Sequence, residues 1–198
     1  MILEGIVSTL NEAARINIAP MGPDVDSAEP TRFVLRPFRS STTYRNLLSA
    51  RVGVLHVTDD VLLLARAAIG DASDEETVAA TSIEGRIIKN TCRYYEFKIL
   101  EIDDSRDRAE MIAETVCSGR FREFFGFNRA KHAVVEAAVL ATRLEFLPIE
   151  KIVASFRELS MAVEKTGGDS ERAAFRLLSK HVLDFAAAKN VILERFPT

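Results

Sequence analysis

Apolar and polar positions along the chain follow two different periods, short and strand-like first, helix-like later. Residues 1–10 are apolar with the β-branched Ile2, Ile6, Val7 and Thr9. Asn11-Glu12-Ala13-Ala14 reads as a turn, and Arg15-Ile16-Asn17-Ile18-Ala19-Pro20 returns as a second strand, ended by Pro20-Met21-Gly22-Pro23. Residues 31–36 predict another strand. A short helix follows to about Ala50, and then a strand over 52–57. Asp59-Asp60 caps a predicted helix over 61–69, and 70–76 reads as an acidic loop. Residues 83–102 predict two more strands. In Tyr95-Glu96-Phe97-Lys98-Ile99 the odd positions are apolar and the even ones charged, the period of a half-buried strand. Short strands separated by turn signals predict a small barrel.

Beyond this region the period becomes helical. Residues 107–118 place Met111, Ile112, Thr115 and Val116 on one face of a predicted helix. Residues 128–144 are apolar almost all round, which predicts a buried central helix. Pro148 opens the next helix, whose apolar face is Ile149, Ile152, Val153, Phe156, Leu159 and Val163. Gly167-Gly168 breaks it, and the last helix buries Ala174, Leu177, Leu178, Val182 and Phe185. The fold class is mainly β plus α, with a barrel domain over 1–122 and a helical domain over 123–198.

Composition narrows the class without naming a function. Over 198 residues, 47% hydrophobic and 28% charged is the balance of an ordinary globular chain that buries a real core. A net charge of -3 argues against a dedicated nucleic-acid binder. Cys92 and Cys117 are the only cysteines and form no CxxC pair, so free thiols in a reducing, cytoplasmic setting are expected. Glu4 lies in the first apolar segment, no basic stretch precedes it, and no apolar run reaches membrane-spanning length. The start does not read as a signal peptide, and no membrane association is expected.

Three groups of residues carry candidate chemistry. In Arg39-Ser40-Ser41-Thr42-Thr43-Tyr44-Arg45-Asn46, hydroxyls stand at a helix start with Arg36, Arg39 and Arg45 around them. Free helix amides, hydroxyls and guanidinium groups together suit a phosphate, while a Ser/Thr cap in a basic neighbourhood needs no ligand. Asn17-Ile18-Ala19-Pro20 ends in a residue that cannot donate to a sheet, so pairing is expected to stop there and leave backbone groups free for a planar ligand. Arg129, His132, Glu136 and Arg143 share one face of the apolar helix, either as a structural network or as a site. A metal at His132 and Glu136 lacks a third ligand. His56 and His181 read as satisfied core or boundary histidines. The absence of GxGxxG and GxxxxGK[ST] argues against a dinucleotide-binding Rossmann fold.

In this order the residues resemble the FMN-binding split-barrel superfamily of flavin reductase-like proteins. The likeness rests on Asn17-Ile18-Ala19-Pro20 as an N-x-A-P strand and on Thr43-Tyr44-Arg45-Asn46-Leu47 as a T-x-x-N-L helix start. More closely, the chain resembles an uncharacterised microbial family in which such a barrel carries a C-terminal helical domain, through residues 41–47 and 127–138. The resemblance implies non-covalent FMN and a homodimer with flavin near the interface. Ser41, Thr42, Thr43 and Asn46 would hold the phosphate with a nearby arginine such as Arg39, and Asn17, Ile18, Ala19 and Pro20 would lie against the isoalloxazine ring. His132 is the one side chain to test near the flavin. Where flavin reductases often place a lysine and an acid before the threonine, this chain has Arg39-Ser40-Ser41-Thr42. The implied activity is that of an oxidoreductase acting on a small substrate, of flavin or pterin type. The alternative is a non-catalytic flavin-binding or partner-binding homodimeric module.

Overall fold

A computed structural model describes residues 1–73, 75–191, 193, 196 and 197. Nine strands and five helices are found among them. In chain order they are β1 (Gly5–Leu10), β2 (Ile16–Met21), β3 (Asp24–Val25), β4 (Arg32–Leu35), α1 (Thr42–Ala50), β5 (Val52–Val57) and α2 (Val61–Ala68). There follow β6 (Thr77–Ala79), β7 (Arg86–Ile88), β8 (Arg93–Asp103), β9 (Glu110–Arg120), α3 (Arg129–Ala141), α4 (Ile149–Thr166) and α5 (Asp169–Ala188). Seven strands make one antiparallel sheet in the order β2-β1-β5-β8-β9-β4-β3, and β6 pairs with β7 in a separate ribbon.

The contacts divide the chain into two compact units. One is Met1–Thr58 with Ala72–Phe124, the other Asp59–Asp71 with Phe125–Thr198. The strand unit has a core of Val7, Phe33, Leu35, Tyr44, Leu47, Leu55, Phe97 and Met111, drawn from both halves of the sheet. The long β8–β9 pair shifts register between Glu96 and Phe97 and again between Ile99 and Glu101. Such bulges bend a sheet and let it curl over its own side chains. Gly53 on β5 lies under the Phe97 ring, where a Cβ would come within 2.7 Å of Cζ.

Two buried polar side chains fix this unit internally. The ring of His56 on β5 is fully buried. Its Nε2 accepts from the Ile88 amide at 3.0 Å, so the proton sits on Nδ1, which donates to the Ile6 carbonyl at 3.3 Å. Burial pushes its pKa down from 6.5 to about 4. Glu96 on β8 is equally buried and accepts from Thr81 N at 3.0 Å, Thr81 Oγ1 at 2.9 Å and Ser82 N at 2.7 Å. Burial alone would raise the pKa of this carboxyl, but these donors outweigh it and hold the group below its ordinary value.

The helical unit contains α3, α4 and α5, and it also takes α2, which packs against α3 and α5. The sequence-based boundary at 122/123 leaves that helix with the strands, because α2 lies between β5 and β6 in the chain. Asn128 caps α3, accepting from the amides of Ala130 and Lys131. Lys131 Nζ pairs with Glu171 at 3.2 Å, and Glu171 also accepts from the Gly168 amide, closing the start of α5.

Three expectations need correction. Residues 107–118 form no helix. Most of them belong to β9, paired to β8 on one side and β4 on the other, with Met111 and Ala113 buried at alternate positions. Two neighbouring strands satisfy that backbone, which overrides the i, i+4 spacing of its apolar residues. Helix α3 is not buried all round, because Arg129, His132 and Glu136 are exposed and only the Ala130, Ala133, Val134, Ala137, Ala138, Ala141 face is covered. Its alanines make a close-packing face rather than a central core helix. Pairing of β2 also does not stop at Pro20, which stands opposite Ile6, with Met21 opposite Gly5. Proline is tolerated there because β2 is an edge strand, where its missing N–H breaks no ladder.

Candidate functional site

The β1–β2 pair, at Thr9 and Asn17, and the start of α1 meet through four polar side chains. Thr9 on β1 stands opposite Asn17 on β2. Asn17 Nδ2 donates to Thr43 Oγ1 at 3.1 Å and, more weakly, to Thr9 Oγ1 at 3.4 Å, while Asn46 Nδ2 donates to Thr9 Oγ1 at 2.9 Å. Thr9, Thr43 and Asn46 are only 2%, 2% and 6% exposed. Burying amide and hydroxyl groups requires partners, and here they are each other's. The structure thus unites Asn17, Thr43 and Asn46 and adds Thr9. That threonine leaves no mark in the sequence, since only the β1–β2 register brings it opposite Asn17.

This arrangement changes which side chains face a ligand. Thr43 ties the edge strand β2, and Asn46 the adjacent β1, to the helix, whereas Arg39, Ser40 and Thr42 are exposed and Ser41 is half-buried. Ser41 is the N-cap, its Oγ accepting from Tyr44 N at 3.1 Å. The amides of Thr42 and Thr43 have no acceptor among the described residues, as the first turn of a helix leaves them. Arg45 folds back over this turn, with Nη1 donating to the Ser40 carbonyl at 2.7 Å and Nη2 to Thr42 Oγ1 at 3.0 Å. Two free amides, the hydroxyls of Ser40 and Thr42 and the Arg45 guanidinium form a donor set suited to a phosphate dianion. The Ser41 cap and these free donors share one helical turn.

Of the other two arginines, Arg36 is committed elsewhere. Arg36 pairs with Asp24 at 3.4 Å and Glu110 at 3.2 Å. Arg39 donates its amide to the Asp107 carbonyl at 3.1 Å, and its guanidinium lies near the Tyr44 hydroxyl. Ile18 is buried, and Ala19 and Pro20 are half-buried along the same edge. A cavity of about 730 Å³ opens beside α1, with Arg45, Asn46, Ser49 and Lys98 in its wall. His132 belongs to the helical unit, on the exposed face of α3 with Arg129 and Glu136, its ring 5.9 Å from that of Phe127. Arg143 lies beyond the end of α3 and is also exposed, so the burial cost that would have demanded partners for this stripe does not arise.

A curled antiparallel sheet of this strand order, followed by helices, has the FMN-binding split-barrel fold of the flavin reductase-like proteins. An FMN-bound protein of Methanosarcina mazei superposes with a TM-score of 0.79 at 27% identity, over 91% of this chain and 94% of its own. The family model described as "Protein of unknown function (DUF447) N-terminal domain" matches residues 3–122, and "Protein of unknown function (DUF447)" matches residues 128–180. The chain belongs to the DUF447 family. The fold alone is shared with the 2-nitrobenzoate 2-nitroreductase of Pseudomonas fluorescens, with a TM-score of 0.52 and 19% identity over 60% of this chain and 64% of that one. An FMN-binding protein of Thermus thermophilus likewise superposes with a TM-score of 0.50 at 19% identity, over 60% of this chain and 70% of its own. No curated protein sequence matches the chain. No helix among the described residues is long and apolar enough to cross a membrane.

Proposed function

We propose that this chain is an FMN-binding flavoprotein and a cytoplasmic oxidoreductase acting on a small molecule. The observation that carries the reading is the Asn17–Thr43 hydrogen bond. It fixes a strand edge beside a helix start whose free amides, hydroxyls and Arg45 suit a phosphate. FMN has both parts to match, a planar ring with hydrogen-bonding edges and a terminal phosphate. The Methanosarcina mazei relative, described as FMN-bound, supports the same ligand.

Bound there, FMN would supply the redox chemistry, and the protein's part is to hold and orient it. The backbone of Asn17, Ile18, Ala19 and Pro20 would meet the ring edge. Ser40, Thr42 and the Thr42 and Thr43 amides would hold the phosphate, with Arg45 balancing its charge, while Ser41, Thr43 and Asn46 keep these groups in place. Arg39 adds positive charge close by. The functional form in this reading is a homodimer with flavin near the subunit interface, and the substrate is a flavin or pterin type of molecule.

Flavin fluorescence titration tests the binding claim. FMN should bind and Thr42→Ala should weaken it, since hydrogen bonds to a charged group contribute about 1.5–3 kcal/mol each. Absence of FMN binding by the unaltered protein refutes the reading. If FMN binds but neither NADH nor NADPH reduces it, the self-sufficient reductase is excluded and a flavin carrier or an enzyme with a separate donor is left.

A further inference from the structure

The segment that carries the anion seat runs from the end of β4 into α1, and it is held from outside by the turn between β8 and β9. Ala109 N donates to the Pro37 carbonyl at 3.0 Å and Arg39 N to the Asp107 carbonyl at 3.1 Å. Phe38 and Arg108 form an isolated antiparallel bridge, and the Arg108 guanidinium lies 4.1 Å from the centre of the Phe38 ring. The remaining link comes from the core. The Tyr44 ring is buried among Leu35, Leu47 and Met111, and its hydroxyl reaches out to donate to Asp104 Oδ2 at 2.8 Å.

Tyr44 thereby joins two structures through a single residue. Its amide donates to the cap oxygen of Ser41, which sets the direction of the Thr42 and Thr43 amides. Its hydroxyl holds the β8–β9 turn, whose backbone in turn fixes Arg39 and Pro37. The bond to Asp104 raises the pKa of the phenol, with burial adding to the rise and the Arg39 guanidinium opposing it, so the hydroxyl stays a donor. Arg45 is the cation turned over the seat.

We infer that Tyr44 and Asp104 are positioning residues that set the geometry of the anion seat, and with it the preference for a phosphorylated flavin over a phosphate-free one. This rests on the flavin reading above. Neither residue need touch the ligand. Their effect passes through Ser41 to two amides whose charge-assisted bonds weaken when the donors are misdirected.

The test compares FMN with riboflavin, which lacks the phosphate, by fluorescence titration of the full chain. Tyr44→Phe keeps the buried ring and should raise the FMN dissociation constant roughly tenfold while leaving riboflavin within about twofold. Asp104→Ala should do the same, the double variant should be no worse than either single one, and Asp104→Asn, which still offers an acceptor, should restore FMN affinity. Equal losses for both flavins, or none for either, overturn the inference. Amide exchange in the ligand-free protein separates it from the flavin reading. Faster exchange of the hydrogen-bonded amides of Arg39, Ser41 and residue 44 in Tyr44→Phe supports this coupling even if FMN fails to bind, and unchanged exchange overturns it.

Discussion

The buried imidazole of His56 makes a measurable demand on pH. In the fold it is neutral, with Nδ1–H on the Ile6 carbonyl and Nε2 occupied by the Ile88 amide, so an added proton has no acceptor to meet. Its pKa falls from 6.5 to about 4, and burial is the cause. Between those values the unfolded chain binds the extra proton and the folded chain does not, so stability rises with pH across the window. The contribution is complete above about pH 6.5, is lost as pH falls towards 4, and levels off below. At 1.36 kcal/mol for each tenfold change in proton affinity, the full loss is roughly 3 kcal/mol, of which about 2 is gone by pH 5. That is a large share of the 5–15 kcal/mol typical of a folded domain. Urea unfolding of the wild type and of His56→Gln at several pH values isolates the effect. The variant keeps a donor and an acceptor in the pocket but does not titrate. Carboxylates such as Glu96 and Glu171 are common to both proteins and cancel in the difference. The wild-type stability should fall relative to the variant by roughly 3 kcal/mol from pH 7 to pH 4. A flat difference over that range would show that burial does not hold His56 neutral.

Thr9→Val removes the acceptor shared by Asn17 and Asn46. With Asn46 buried, it should destabilise the chain by about 1–3 kcal/mol in denaturant unfolding and weaken FMN binding through misplacement of the helix start. Glu96→Gln replaces one of the oxygens that meet the Thr81 and Ser82 donors with an amide that cannot accept. A loss of about 2–3 kcal/mol should appear as a lower denaturation midpoint, with faster proteolysis at the 81–83 turn. His132→Ala, on an exposed helix face, should change stability by no more than about 0.5 kcal/mol. A lower FMN affinity in that variant, with the stability kept, would give His132 a place at the flavin.

Much of the local structure around the candidate site was visible in the chain itself. The strand Asn17-Ile18-Ala19-Pro20 and the helix start at Thr42 fall where the pattern puts them, and β5 (Val52–Val57) matches its expected bounds. Ser41 is a cap by composition and by geometry. The roles of individual hydroxyls were not visible. Thr42 and Thr43 are neighbours of the same type, yet one is exposed beside Arg45 and the other is buried against Asn17. A one-residue step on a helix turns the side chain by about a quarter circle, and only the packing of α1 on β1 and β2 says which way is in.

Sequence by itself determined the local elements, because periodicity, turn residues and caps act over a few residues. It determined the strand-rich half, the Gly167-Gly168 break and the hydroxyl-rich helix start with its claim on an anion. Tertiary structure decided what depends on distant partners. β9 became a strand because β4 and β8 satisfy its backbone on both sides, and α2 joined the helices because α3 and α5 cover its apolar face. Thr9, Tyr44 and Asp104 acquired their roles only through register and turn placement, which no local spacing encodes. Hydrogen bonds between residues 26, 37 or 60 positions apart gather these groups into the candidate site.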